Sequence, residues 1–253
     1  IVSFMPTDGY TSFCQCELCQ GKDTPEQGFK GMMSDYVWSF MNRTAREAAK
    51  THPNKEIMCY AYNTYLKPPQ KIETFHPNVR VGICHHRSSF HDPEKKRMWL
   101  DIREGFLEKI PSRRISLWEY YKVLGGFPGY YPHIIAEDLQ RLEGHVNGTM
   151  IEVARGRYPR DYDGPDLQLA TNHLNLWLTA RLWWDPDPDE LWWNAAQNVD
   201  DMLDVYYRNF YGPAAEEMKT FIQYSEKNWP RMRVKPDPID KAFALIKEAR
   251  KAA

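Results

Sequence analysis

Val79-Arg80-Val81-Gly82-Ile83-Cys84 is the stretch that decides the fold, because it is almost continuously apolar and does not alternate between apolar and polar residues. Such a run predicts a strand buried on both faces, as in a parallel sheet. Four more runs of this kind occur, at Ile1–Met5, Glu56–Ala61, Arg114–Trp118 and Thr149–Val153. The chain therefore predicts five parallel strands.

Amphipathic helices are predicted between these strands. One opens at Ser34, a second has Asp92 as its N-cap, and a third ends at Gly144. Alternating strands and helices predict a parallel sheet with right-handed crossovers. No glycine-rich phosphate loop follows any of the strands, which disfavours an open nucleotide-binding sheet.

These patterns favour a TIM-like (β/α)8 barrel that lacks its first strands. After Val153 the patterns are only helical, so we expect residues 1–165 to form the C-terminal portion of the barrel. We expect residues 166–253 to form a helical annex packed on it. If the last strand is the eighth, Ile1–Met5 is the fourth, and an upstream part of the same protein completes the barrel.

The composition excludes several classes of function. The 253 residues carry a formal net charge of −1, which recruits neither nucleic acid nor an anionic membrane. No apolar stretch approaches the length of a membrane-spanning helix. The aromatic content of 14% includes nine Trp and fifteen Tyr, and we attribute most of them to packing and the rest to stacking on sugar rings.

Several motifs carry a family resemblance, and they occur in a specific order. They are Phe4-Met5-Pro6-Thr7-Asp8-Gly9, Cys14-x-Cys16-x-x-Cys19, Tyr62-Asn63-x-Tyr65, Trp118-Glu119-Tyr120-Tyr121 and Tyr211-Gly212-Pro213-Ala214-Ala215. Over nearly the whole chain they resemble the bacterial domain-of-unknown-function family 4838. The resemblance implies a glycoside-hydrolase barrel related to β-hexosaminidases and α-glucuronidases. Some members are endo-β-N-acetylglucosaminidases of glycoside hydrolase family 163.

Three carboxylates are candidates for catalysis, because barrel enzymes place their chemistry at the C-terminal ends of strands. Glu119 directly follows a predicted strand and lies among aromatic residues. The alternative to catalysis is that Glu119 only binds a substrate hydroxyl or pairs with an Arg. The family resemblance favours Asp8 as a catalytic residue. The alternative is that Asp8 only forms an Asp-Gly turn. Glu152 ends the last strand, and otherwise it pairs with Arg155 or Arg157.

A second group of residues at or near strand ends is predicted to bind the substrate. The group consists of Tyr62, Asn63, His85, His86, Trp118, Tyr120 and Arg155. Adjacent residues of a strand point to opposite faces, so at most one of His85 and His86 faces the barrel mouth. The other histidine is then a hydrogen-bonded structural residue.

Cys14, Cys16 and Cys19 are spaced to converge on a structural zinc ion. A closed site needs a fourth ligand, from Cys59, Cys84 or a histidine. A disulfide with free thiols is the alternative. The catalytic chemistry itself requires no cofactor.

The sequence thus predicts a glycoside hydrolase that cleaves an O-glycosidic bond in a glycan. The alternative is a non-catalytic carbohydrate-binding barrel, and two carboxylates facing each other across the mouth would distinguish the enzyme from it. Glycan substrates place such enzymes outside the cytoplasm, although the free-looking cysteines argue against an oxidising compartment.

Overall fold

The architecture comes from a computed structural model, which describes residues 1–6, 14, 16–121, 129–153, 167–183, 198–232 and 234–253. These residues fall into two compact units. The first unit consists of Ile1–Tyr120 and Leu142–Ile151, and the second consists of Tyr121–Arg141 and Glu152–Ala253.

The sheet is a curled, parallel half-barrel of five strands, which confirms the predicted strand segments and their direction. Its strands are β1 (Val2–Ser3), β2 (Ile57–Ala61), β3 (Val79–His85), β4 (Ile115–Tyr120) and β5 (Val146–Glu152), and their spatial order follows the chain. Several strand ends differ from the prediction, and β5 begins three residues earlier than predicted. β1 has only two residues, and β4 continues two residues beyond Trp118.

The predicted helices after β1 and β3 are present as α1 (Ser34–Ala49) and α2 (Pro93–Lys109). The Asp92 carboxylate accepts hydrogen bonds from two backbone N–H groups at the start of α2, as expected of an N-cap. Trp38 of α1, Phe75 and Phe106 of α2 form an aromatic core with ring centroids 5.1 to 6.3 Å apart. Burial of these large rings stabilises the helix layer of the first unit.

The second unit is helical where the structure describes it. It contains α3 (Pro132–Arg141), α4 (Leu167–Trp183), α5 (Val199–Tyr211), α6 (Ala215–Met232) and α7 (Asp237–Ala252). Its core includes Leu174, Leu203, Tyr207 and Ile222, all nearly inaccessible to solvent. The amphipathic patterns in the sequence predict α3 and, after Val153, a series of helices that includes α4, α5 and α6 but not α7.

The two faces of the sheet differ sharply in burial. On one face, Val81, Ile83 and His85 of β3 and the odd-numbered residues of β4 are completely buried. Trp99 of α2 packs on this face against His85, so we call it the helix-covered face. On the other face, which we call the open face, Met58, Arg80, Trp118 and Tyr120 are half-buried, although Tyr60, Cys84 and Ser116 on this face are buried. In a barrel the open face lines the interior.

Within the part of the chain that the structure describes, no helix combines the length and the apolar character needed to cross a membrane.

Candidate functional site

An aromatic pair lies on the open face. Tyr60 of β2 and Trp118 of β4 meet edge to face, with their ring centroids 5.4 Å apart. The intervening strand places Gly82 directly beside Tyr60, and a Cβ atom there would overlap the Tyr60 ring. The missing side chain of Gly82 therefore lets Tyr60 lie across β3 and reach Trp118.

A second aromatic pair lies where β3 and β4 end. His86 and Tyr120 stack with centroids 4.5 Å apart and an interplanar angle of 16°. They are brought together because the preceding residues, His85 and Glu119, are partners in the parallel register. We call Tyr60, His86, Trp118 and Tyr120 the aromatic platform. His86, Trp118 and Tyr120 are half-buried and Tyr60 is buried beneath them, at the carboxyl ends of neighbouring strands, where barrel proteins bind their ligands.

Tyr62 and Asn63 follow the end of β2 and are half-buried. Asn63 adopts a left-handed backbone with φ of 51°, a conformation that asparagine tolerates better than most residues. The Tyr65 N–H donates to the Tyr62 carbonyl, so the chain turns sharply at this point. The turn keeps both predicted binding residues at the carboxyl edge of the sheet.

Glu119 lies in a buried charged cluster and is 0% exposed. Its Oε1 atom lies 2.9 Å from the Arg87 guanidinium Nη2 and 3.0 Å from His85 Nδ1. His85 and Arg87 are also buried, and Phe90 and Trp99 pack edge-on against the His85 ring. We call Glu119, Arg87 and His85 the charged cluster. The attraction within the cluster offsets part of the free-energy cost of removing its three polar side chains from water.

The placement of Glu119 corrects the sequence analysis in one respect. The sequence pattern predicted Glu119 just beyond the strand, among aromatic residues, whereas β4 continues through Glu119 to Tyr120. Strand alternation therefore turns Glu119 to the helix-covered face and leaves Trp118 and Tyr120 on the open face. A general acid must reach the leaving oxygen, so this geometry favours a positioning role for Glu119. Its direct participation in catalysis stays a prediction.

The histidine pair divides as the alternation rule requires. His85 is completely buried against α2, whereas His86 is half-buried and stacks on Tyr120. His86 is therefore the member of the pair that is placed to contact a ligand.

The other candidate carboxylates have different settings. Glu152, at the end of β5, is half-buried, and its carbonyl accepts a hydrogen bond from the Tyr121 N–H at 3.1 Å. Asp8 and the predicted binding residue Arg155 lie outside the described residues. The carboxyl–carboxyl spacing that would indicate retention or inversion therefore stays a prediction.

The three neighbouring cysteines come together in space. The sulfur atoms of Cys14, Cys16 and Cys19 all lie within 4.8 Å of one another, and the thiols are free. Hydrogen bonds with the other two thiols lower the pKa of Cys16 and raise that of Cys19 to about 11. Cys59 and Cys84 form no disulfide and are buried in the sheet, on opposite faces.

Sequence reasoning did not single out two residues that shape this region. Gly82 lies between Val81 and Ile83 inside a strand, and glycine inside a strand often marks a close approach of other groups. Arg87 follows the histidine pair, but nothing in the sequence indicates that it is 1% exposed and pairs with Glu119. Only the fold brings these residues together.

Comparison with known proteins gives one match. The model of a family described as "Domain of unknown function (DUF4838)" matches residues 1–223. Neither a curated protein sequence nor a solved structure matches the chain.

Proposed function

We propose, from the premise that the chain belongs to the DUF4838 family, that it is a glycoside hydrolase acting on an O-glycosidic bond of a glycan. The activity of some proteins that this family resembles leads us to propose an N-acetylglucosaminide as the substrate, cleaved in an endo-β-N-acetylglucosaminidase-like reaction. The substrate class leads us to propose an extracytoplasmic location.

The aromatic platform is the observation that carries this proposal. Tyr60, Trp118, Tyr120 and His86 lie on or beside three adjacent parallel strands at their carboxyl ends. The apolar face of a sugar ring is complementary to such rings, and their polar edges can hydrogen-bond sugar hydroxyls.

The half-barrel supports the proposal because its open face needs further strands to enclose a pocket. We propose that the five strands belong to a (β/α)8 barrel completed by an upstream part of the same protein. In this arrangement residues from about 166 onward form a helical annex packed on the barrel. The open face then becomes the wall of a concave site.

Hydrolysis requires one carboxylic acid to protonate the leaving oxygen and a second group to stabilise the oxocarbenium-like centre. We propose Glu152 and Asp8 for these roles, since both follow or end strands. Glu119 is the third candidate. Its burial beside Arg87 supports the alternative that it orients the end of β3, and with it His86.

The burial of Glu119 also supports a second candidate function. A barrel whose strand-end carboxylate serves only an ion pair would bind glycans without cleaving them. The platform would be retained in such a protein, and a catalytic acid would be lacking.

Two sets of variants test the proposal in the full-length protein. Trp118→Ala and Tyr120→Ala each remove a ring whose burial against the sugar would contribute about 1.5–3 kcal/mol to the free energy of binding. We therefore expect glycan affinity to fall roughly 10- to 100-fold. Tyr36→Ala serves as the control, because Tyr36 is an exposed aromatic residue on α1. Equal glycan affinity in wild type, Trp118→Ala and Tyr120→Ala would contradict the platform.

Catalysis is tested with Asp8→Asn, Glu119→Gln and Glu152→Gln on N-glycans and on aryl glycosides. Loss of a true general acid lowers kcat about 10²- to 10⁴-fold on a natural glycan and much less on a substrate with an activated phenol leaving group. A positioning residue lowers kcat on both substrates alike. Tight glycan binding with no turnover of either substrate would favour the non-catalytic barrel.

A further inference from the structure

The loop between β1 and α1 contains the only group of His, Cys, Asp or Glu side chains, among the residues that the structure describes, that converges as metal ligands do. Its members are Cys14, Cys16 and Cys19, and we call them the thiol cluster. The cluster plays no part in the proposed hydrolysis. Its three sulfur atoms lie within 4.8 Å of one another.

The spacing between the sulfur atoms is close to that of a metal site. Tetrahedral zinc with Zn–S bonds of about 2.3 Å places thiolate sulfurs about 3.8 Å apart. Side-chain rotations of the exposed Cys14 and Cys16 can cover the difference without moving the backbone.

A tight turn of the backbone holds two of the three cysteines close together. The N–H groups of Cys19 and Gln20 both donate to the Cys16 carbonyl, at 2.9 and 3.0 Å, which closes the turn. The turn therefore fixes the spacing between Cys16 and Cys19 through the backbone.

The number of thiols distinguishes a metal from a disulfide. A disulfide joins two sulfur atoms and leaves the third without a reason to approach, whereas all three converge here. Soft thiolate ligands favour zinc over the hard cations calcium and magnesium.

We propose that Cys14, Cys16 and Cys19 bind one zinc ion through three thiolates, with a structural role in the loop that follows β1. A water molecule completes the tetrahedral coordination. This inference is independent of the proposed hydrolysis, because the site is defined by the loop alone.

The test is a titration of the reduced, metal-free full-length chain with Co²⁺ and then Zn²⁺. We expect one Co²⁺ per chain, a thiolate-to-cobalt charge-transfer absorption, and displacement of the cobalt by one equivalent of Zn²⁺. Cys14→Ser, Cys16→Ser and Cys19→Ser should each weaken zinc binding at least about 100-fold. Cys59→Ala is the control, since its buried thiol on the helix-covered face should not alter binding.

Two outcomes would overturn the inference. The first is a reduced wild-type chain with a native far-ultraviolet circular dichroism spectrum and no charge-transfer band. The second concerns the number of reactive thiols in the chain before reduction. If this number is two below that of the reduced chain, and a reductant but not a chelator restores the two thiols, the cysteines form a disulfide. Neither readout depends on glycan turnover, so failure here leaves the proposed hydrolase untouched.

Discussion

Breaking the charged cluster should destabilise the chain far more than breaking an exposed ion pair. Glu119→Gln removes the carboxylate 2.9 Å from Arg87 Nη2 while both side chains stay fully buried. Leaving one charge buried without its counter-charge costs about 3–5 kcal/mol. For a chain of this size, that loss lowers the melting temperature by roughly 6–20 °C.

The chain provides a matched control on the same sheet. Two nitrogen atoms of Arg80 on β3, Nε and Nη2, donate hydrogen bonds to the Glu56 carboxylate. The Arg80 and Glu56 side chains are 20% and 35% exposed. Because water already solvates this pair, Glu56→Gln should cost at most about 1 kcal/mol. Chemical denaturation followed by circular dichroism measures both free energies of unfolding.

A double variant tests the physical cause. Arg87→Met combined with Glu119→Gln removes both charges, so its loss should be clearly smaller than the sum of the two single losses. If Glu119→Gln costs no more than Glu56→Gln, or if the losses simply add, the charged cluster does not act as a buried ion pair and the positioning role fails with it.

Two further predictions follow from other contacts. Gly82→Ala should displace the Tyr60 ring, lower the free energy of unfolding by about 1–3 kcal/mol and weaken glycan binding. Gly148→Ala on β5 is the control, because an added Cβ there meets open space. Equal stability of the two variants would refute this prediction. Hydrogen bonding to Glu226 raises the pKa of His133 to about 9 from 6.5, so its stabilisation is complete below about pH 6.5 and lost as the pH rises through 9. With His133 45% exposed, the effect should stay below about 1 kcal/mol, and His133→Gln should unfold with a shallower loss of stability from pH 6 to 10; parallel curves would contradict it.

The strands could be predicted because burial on both faces leaves a continuous apolar signal, as in residues 79–84. The end of β4 could not, because Glu119 is charged and the apolar pattern stops before it. The apolar pattern that indicates a strand is interrupted where a buried position holds a charged residue that is paired with another charge. The partner of Glu119 is Arg87, which lies in a different strand–helix connection, so local sequence does not reveal the pair. Helix α7 was overlooked although Pro236 and Asp237 precede its amphipathic pattern.

The platform was partly predictable from the sequence. Trp118, Tyr120 and His86 were selected as binding residues because aromatic and histidine side chains at strand ends suit sugars. Their stacking partners depend on the register between strands, which places residue 86 beside residue 120. Local sequence does not contain that register, so the role of Gly82 in admitting Tyr60 became evident only in the fold.

The strict division of β4 between its two faces has a consequence for engineering. Ile115, Leu117 and Glu119 are buried against the helices, whereas Ser116, Trp118 and Tyr120 border the open face. A combinatorial library that varies only the even-numbered positions would diversify recognition while leaving the packed layer unchanged. A library that varies consecutive positions would also change the three buried residues, and most of its members would carry a disrupted core.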